Sequence, residues 1–174
     1  MNRALITSAL ALATTATAFA AGNSASASAN ASVKIRKAIT LTKTADLDFG
    51  GIVISAAGTA ADTAVLSPAN ALTAPGTNGT IVGTFNTTSA AAFNVTGTKN
   101  ATYAVTLPSG STSLAGSNGG TLNVTSFTST SGSGSNTLDG TGADTLAVGA
   151  TLTVPQTTTD GNYTGSFSVT VAYN

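Results

Sequence analysis

Few residues in this chain are able to do acid–base or metal chemistry. Aspartate is the only acidic residue type, with six copies, and there is no Glu, His or Cys. Asp46 and Asp48 form the closest carboxylate pair, and an extended backbone would place both on the same face. Glycosidase-type catalysis needs one carboxyl with a raised pKa and a defined separation across a substrate. Because nothing nearby supplies a general acid, we interpret both residues as polar turn residues that flank two core side chains, Leu47 and Phe49.

A second acidic stretch, Asp139 to Leu146, approaches the calcium-binding nonapeptide of parallel β-helices. Those sites need stacked repeats that share each ion, whereas this chain has one copy, with Asp139 in place of the first Gly. Without His and Cys, the chain has no Ser-His-Asp triad, cysteine nucleophile or usual transition-metal site. No Gly-rich phosphate loop with its Lys is present. We therefore predict that the protein is not an enzyme and uses no metal or cofactor.

The first twenty residues have the pattern of a secretory signal peptide. Arg3 provides the positive start, Ala4 to Ala13 is an apolar run, and Ala18-Phe19-Ala20 is a small-x-small cleavage site. This predicts residues 1–20 as the signal and a secreted mature protein. Without Arg3 the chain has five basic residues against six Asp, a formal charge of −1. So small a charge argues against nucleic acid as a partner.

The clearest structural pattern lies at the C-terminal end, from Asp160 to Asn174. A strand sends alternate side chains to opposite faces, so large apolar residues at odd positions predict one long strand with an apolar face. Gly165 takes one position of that face without a side chain, which leaves room for another backbone. The apolar face consists of Tyr163, Phe167, Val169, Val171 and Tyr173.

The mature N-terminus also alternates, with small polar residues at the even positions. Its odd positions are Ala25, Ala27, Ala29, Ala31, Val33 and Ile35. One interpretation of residues 21–32 is a low-complexity flexible leader. The other is a donor strand, running to about residue 35, that adds to the open sheet edge of another molecule. Because Ala and Ser are weak strand formers, such a segment would stay unpaired in the free subunit.

Turn signals divide the remaining chain into short alternating segments, which predicts an all-β fold with a β-sandwich over residues 33–174. Residues 97–100 suit a hairpin turn between two of these strands. Phe127 is out of phase with the strand before it, which predicts a bulge. The Gly/Ser-rich residues 129–142 are predicted to be a mobile surface loop. The predicted strands are residues 33–42, 52–55, 63–67, 80–86, 91–96, 102–107, 121–129 and 146–154.

Several motifs resemble one known family. They are Leu41-Thr42-Lys43-Thr44 with Asp46 to Gly50, Phe93 to Gly97 with Leu107-Pro108, Gly149 to Pro155, Gly161 to Gly165, and the ending F-x-V-T-V-x-Y. Together they resemble the domain-of-unknown-function family 4402 of Gram-negative secreted proteins, which is similar to spore-coat-U-like and chaperone–usher pilin domains. The resemblance implies an incomplete immunoglobulin-like sandwich that a neighbour's N-terminal strand completes. Many pilins carry a disulfide, which this chain cannot form.

Taken together, these observations predict a structural subunit of an extracellular fimbria on a Gram-negative bacterium. The donor would be Ala25 to Ile35, and the acceptor groove would be lined by the apolar face of the terminal strand together with the first strand. The expected partners are identical subunits, with a periplasmic chaperone and an outer-membrane usher during assembly. The alternative is a monomeric secreted β-sandwich module that binds carbohydrate or acts as an adhesin.

Overall fold

The computed structural model describes residues 22, 24–74, 76–131 and 135–174, so the predicted signal peptide lies outside the described residues. The chain divides into two units, residues 1–34 and residues 35–174. The described residues of the first unit form neither helix nor strand, and all are exposed. The described residues of the second unit are all-β. Within the described ranges there is no helix that could span a membrane.

The second unit contains thirteen strands among its described residues, and every pairing between them is antiparallel. In chain order they are β1 (Thr40–Ala45), β2 (Gly51–Ile54), β3 (Asp62–Leu66), β4 (Leu72–Thr73), β5 (Ile81–Phe85), β6 (Ala91–Thr96), β7 (Thr102–Thr106), β8 (Thr112–Gly116), β9 (Thr121–Ser129), β10 (Ser135–Thr137), β11 (Ala143–Val154), β12 (Tyr163–Thr164) and β13 (Thr170–Tyr173).

The longest strand, β11, is the centre of the largest sheet. Its first half pairs with β6, its second half pairs with β3, and its other edge pairs with β9. Its even positions from Leu146 to Val154 are apolar and buried, whereas the odd positions between them carry Ala, Gly and Thr, as expected for an antiparallel strand with one covered face. The sheet has the order β1-β6-β11-β9-β8-β12, with β3 also paired to β11 and β4 paired to β3.

Two smaller sheets, β10-β7-β13 and β2-β5, cover this large sheet and give a sandwich-like fold. One core cluster lies beneath β2-β5 and includes Ile81 with Leu152 and Val154 from β11. The other lies beneath β10-β7-β13 and includes Tyr103 and Val105 with Leu146 from β11. The two small sheets therefore cover different halves of the same large sheet.

The bulge predicted at Phe127 is confirmed. Thr128 stands opposite Gly149 and Thr125 stands opposite Thr151, so two residues of β9 face one residue of β11. Ser126 takes a positive φ of 52° within this bulge. The extra residue returns Phe127 to the inner side, where it packs against both core clusters.

The hairpin predicted around residues 97–100 is wrong. The strand before it, β6, pairs with β1 and β11, whereas the strand after it, β7, pairs with β10 and β13. The turn therefore carries the chain from one sheet to another. The local residue pattern of a turn does not determine whether the two strands that it joins pair with each other.

The predicted mobile loop over residues 129–142 is also wrong for residues 135–142. Residues 135–137 form β10, and Leu138 is fully buried. The Asp139 carboxylate then accepts hydrogen bonds from the backbone N–H groups of Thr141 and Ala143 and from the Thr141 hydroxyl. This carboxylate stabilises a tight turn. The Asp and Gly residues that resemble a calcium-binding repeat therefore form a turn held by Asp139.

Both terminal strands differ from the prediction. The first strand begins at Thr40, not at Val33, because Lys37 is bound through its N–H to the Thr98 hydroxyl (2.7 Å) and through its carbonyl to the Tyr173 hydroxyl (2.8 Å) rather than to a strand. The long strand predicted at the C-terminus is interrupted. It consists of β12, which pairs with β8, and β13, which pairs with β7, separated by residues 165–169.

Candidate strand-acceptor groove

A groove of about 1020 Å³ opens in the second unit beside the interrupted C-terminal segment. Its floor is formed by large-sheet residues that face inward from β6, β8, β9 and β11, and one wall comes from the chain between β1 and β2. The other wall is the chain from Thr158 to Phe167. The apolar side chains that line it include Leu47, Phe49, Ile52, Phe85, Phe93, Leu114, Leu122, Val124, Phe127, Leu152, Val154, Tyr163 and Phe167.

The groove lies where the two core clusters meet. Leu47 and Phe127 belong to the margin of both clusters, and both line the groove. The Phe127 ring packs against the Phe167 ring with 4.9 Å between the centroids and 38° between the planes. Aromatic pairs in such tilted arrangements contribute beyond the area they bury. This contact connects the middle of the C-terminal segment to the large sheet.

The predicted alternation of the C-terminal segment is present in the structure. The five odd residues are partly buried, whereas all even residues from 164 to 174 are exposed. They do not act as one surface, however. Tyr163 packs against the first core cluster, and the four residues from Phe167 to Tyr173 pack against the second. Only Tyr163 and Phe167 of the five line the groove.

The break in this segment leaves backbone without a partner. Residues 165–169 form no backbone hydrogen bond with any described residue. A side chain at Gly165 would place its Cβ 2.6 Å from the Ser113 carbonyl oxygen, so only glycine allows the chain to approach β8 this closely. Water can satisfy exposed amides, but an added strand would satisfy them as well.

The strand β13 also has an open edge. Asn174 N–H donates to the Thr102 carbonyl (3.2 Å), and hydrogen-bonded and non-hydrogen-bonded pairs alternate along an antiparallel ladder. Val171 and Tyr173 therefore occupy non-hydrogen-bonded positions opposite β7, and their N–H and C=O groups point the other way. No strand among the described residues pairs with β13 on that side.

The predicted donor residues lie in an uncovered segment without helix or strand. From residue 24 to residue 38 every residue is exposed, and Val33 and Ile35 are each 83% exposed. The structure therefore shows an exposed segment without a strand at residues 24–38 and an apolar groove within the second unit.

The ionisable groups of the groove are Lys43, Asp46, Asp48 and Asp160. Lys43 and Asp46 form an exposed ion pair, and the Asp48 carboxylate accepts a hydrogen bond from Gly50 N–H at 2.8 Å. Asp48 therefore stabilises a turn, as interpreted from the sequence, and Phe49 beside it is buried. Each of the two carboxylates therefore has a partner of its own, the Lys43 ammonium for Asp46 and a backbone N–H for Asp48.

The groups with perturbed pKa values lie outside the groove. Three backbone N–H groups donate hydrogen bonds to the buried Asp62 carboxylate and lower its pKa. The N–H of Ile81 has the largest effect, followed by those of Asn78 and Thr80. The backbone N–H of Ala143, with further bonds from its turn, lowers the pKa of Asp139 to about 2. These carboxylates therefore stabilise turns.

Tyr103 has the third perturbed pKa. Burial of its side chain, and the Asp144 carboxylate that accepts its hydroxyl hydrogen bond at 2.7 Å, raise the pKa of Tyr103 above the usual range. This tyrosine stays protonated and joins β7 to β11. No cluster of three or more residues suited to hold a metal ion occurs in the part of the chain that the structure describes.

Most groove residues were not identified from the sequence. Leu47, Phe93 and Leu114 come from segments distant in sequence, and only the folded sheet brings them together. The sequence did give one indication of a groove residue. Phe127 is out of phase with the apolar positions before it in its strand, and the bulge turns its side chain inward. Nothing in the sequence indicated that Phe85 would be exposed, with its ring over Gly51.

A comparison with protein families finds a match that covers nearly all of the second unit. The model of the family described as "Domain of unknown function (DUF4402)" matches residues 39–173, which is most of the chain. The chain belongs to the DUF4402 family. The matched region begins just before β1 and ends at the last residue of β13, so the DUF4402 domain contains the whole groove. No curated protein and no solved structure matches this DUF4402 protein.

Proposed function

We propose that this DUF4402 protein is a structural subunit of a secreted surface fibre that assembles by donor-strand complementation. The N-terminal extension of one copy, residues 25–35, inserts into the groove of the next copy and completes an immunoglobulin-like, pilin-like sandwich. The observation that carries this proposal is an apolar groove beside residues 165–169, whose backbone has no partner among the described residues.

Strand addition is favoured over a small ligand by the kind of surface that is open. Backbone N–H and C=O groups along β13 and residues 165–169 are available for main-chain hydrogen bonds, and apolar side chains lie beside them. An extended peptide uses both, because its backbone adds to the edge and its alternate side chains enter the groove. The available edge, residues 163–173, and the proposed donor, residues 25–35, are each eleven residues long.

The remaining features of the proposal follow from this open edge. An uncovered apolar edge promotes aggregation, so we propose that a periplasmic chaperone covers it and that an outer-membrane usher directs assembly at the surface of a Gram-negative bacterium. In a homopolymer each extension covers the edge of the next subunit. The extension supplies small alanines, which suit an edge where the core is already partly filled.

The first test is the size of the secreted mature protein on a denaturing gel, unheated and heated. We expect a ladder of heat-sensitive polymers for the unmodified protein and its loss when residues 21–32 are deleted. The matched pair Ala29→Lys and Asn30→Lys tests the face of the donor. The first puts a charge on the side that would enter the groove, and the second puts the same charge on the other side.

We expect Ala29→Lys to abolish the ladder and Asn30→Lys to retain it. A single monomer band for the unmodified protein would overturn the fibre proposal. That result would favour the alternative function, a self-contained module that binds carbohydrate. Equal effects of the two lysine variants would contradict the proposed face of the donor.

A further inference from the structure

The acidic residues of the second unit are unevenly distributed. Three of its six aspartates lie outside the groove and accept hydrogen bonds within the fold: Asp62, Asp139 and Asp144. The other three, Asp46, Asp48 and Asp160, line the groove together with one cation, Lys43. One positive and three negative groups give the groove a net charge of −2. The Asp160 carboxylate has no hydrogen-bond or ion-pair partner among the described residues.

The basic residues are concentrated near the proposed donor. Lys34, Arg36 and Lys37 follow one another within four positions, and no acidic residue occurs between residues 22 and 37. This short segment therefore has a charge of +3 in a chain whose overall formal charge is zero. The opposite, N-terminal part of the donor, residues 24–32, has no charge. Within the donor itself, residues 25–35, Lys34 is the only charged residue, and it lies near the C-terminal end.

The groove is also wider beside one end of the C-terminal segment, residues 163–173, than beside the other. Tyr163 and Phe167 line the open volume, but Val169, Val171 and Tyr173 do not, because they are packed against the second core cluster. The two largest donor side chains, Val33 and Ile35, stand beside Lys34, whereas only alanines occupy the odd positions from 25 to 31. Large donor side chains fit the open half, and alanines fit the half along β13.

Building on the proposed function, we infer that charge and side-chain size together set the direction in which the extension enters a second copy. The basic end, with Lys34, lies beside Asp48 and Asp160 of the next subunit, and the alanines lie along β13. The donor then runs antiparallel to residues 163–173. Opposite charges at this junction also attract the two subunits before they dock.

The charge contribution is tested by assembly kinetics of the full mature chain. Lys34→Glu and Asp160→Lys are each expected to slow polymer growth about tenfold at low ionic strength, with the difference shrinking as salt screens the charges. Combining both substitutions restores the attraction and is expected to recover most of the rate. Lys99→Glu makes the same change in net charge as Lys34→Glu but lies outside the donor and the groove, and should leave the rate nearly unchanged.

The direction is tested by cross-linking, which the absence of native Cys makes specific. We introduce Ser24→Cys with either Asn174→Cys or Asn162→Cys into the full mature chain, which leaves Lys34, Asp48 and Asp160 in place, and oxidise the assembled polymer. The antiparallel direction predicts that Ser24→Cys cross-links efficiently with Asn174→Cys and poorly with Asn162→Cys. The reverse preference would overturn the inferred direction.

The two proposals fail in distinguishable ways. If the unmodified chain forms no polymer, the proposed function fails, and this inference fails with it. If the polymer forms but Lys34→Glu assembles as fast as the unmodified chain at low salt, only the electrostatic contribution is wrong. If it forms and cross-links in the reverse direction, only the antiparallel arrangement is wrong.

Discussion

At the scale of single residues, the least expected feature is Asp62. Its side chain is buried, and both carboxylate oxygens accept backbone hydrogen bonds: Oδ1 from Asn78, and Oδ2 from Thr80 and Ile81 at 2.8 and 2.9 Å. A buried carboxylate is tolerated only when its charge is satisfied in this way. Asp62 therefore connects the start of β3 to the chain that enters β5. Nothing in its sequence context distinguishes it from the exposed aspartates.

The pH dependence of unfolding tests this role. The folded-state pKa of Asp62 is lowered and that of Asp139 is about 2, from an ordinary value of 3.8. Such groups stabilise the fold above their unfolded pKa, and this contribution is lost as the pH falls from about 4 through the folded pKa. We expect denaturant midpoints to decrease steeply between about pH 4 and pH 2.

Asp62→Asn should lower the midpoint at neutral pH and flatten the dependence in that acidic range, because it removes a charge that three N–H groups share. Asp48→Asn is the matched control, since that exposed carboxylate accepts one backbone hydrogen bond. We expect its curve to run nearly parallel to that of the unmodified protein. An Asp62→Asn curve that keeps the full acid dependence would contradict the assignment.

At the scale of elements, the C-terminal segment is paired with other strands at its two ends and unpaired in its middle. Its ends are held by β8 and β7, whereas residues 165–169 lie between these ladders without a backbone partner in the described structure. Phe167 is nonetheless fixed by its contact with Phe127. The segment is thus positioned by side chains but not completed by a strand. This is the state expected of an acceptor before its donor arrives.

Amide hydrogen exchange tests this interpretation of the segment. In the unassembled Ala29→Lys protein, we expect the amides of residues 166–169 to exchange quickly, because they have no backbone acceptor. In the assembled polymer of the unmodified protein, some of them should become protected about tenfold or more as a donor pairs with them. The amides of β11 are the internal reference, since they are paired in both states. Unchanged exchange at residues 166–169 after assembly would contradict strand addition there.

At the scale of the whole molecule, the second unit has its own core and does not depend on the extension for its described contacts. Both core clusters consist of residues from position 39 onward. The described residues before position 35 are exposed and contribute no strand. The start of the unit is attached instead through Arg36, whose guanidinium lies 5.3 Å from the centre of the Tyr173 ring and donates to the Asn174 carbonyl.

Deleting residues 22–34 should therefore leave the stability of the monomer nearly unchanged. We expect the free energy of unfolding to differ by less than about 0.5 kcal/mol, the range of surface changes. The comparison uses urea unfolding of the deletion variant and of the monomeric Ala29→Lys full chain. A large loss of stability would show that the extension occupies the groove of its own molecule, and the acceptor would then be self-complemented.

Local properties of this fold were predictable from the sequence. The alternation of the terminal segment, the bulge at Phe127 and the strands at residues 91–96 and 121–129 follow from side-chain direction along an extended backbone, which is set by neighbouring residues. The inward direction of the Tyr163 and Phe167 side chains was predictable from the same alternation. The sequence alone therefore determined which faces are apolar, and it indicated family membership through its motifs.

Only the tertiary structure decided which strands pair and where the groove opens. The strands β8 and β10 consist mostly of small residues whose extended state depends on their partners, and β6 and β7 belong to different sheets although a short turn joins them. Strand pairing joins residues far apart in the chain, and the stability of each pair depends on its neighbours. No local pattern carries that information, because the partner of an edge is fixed by how the whole sandwich packs.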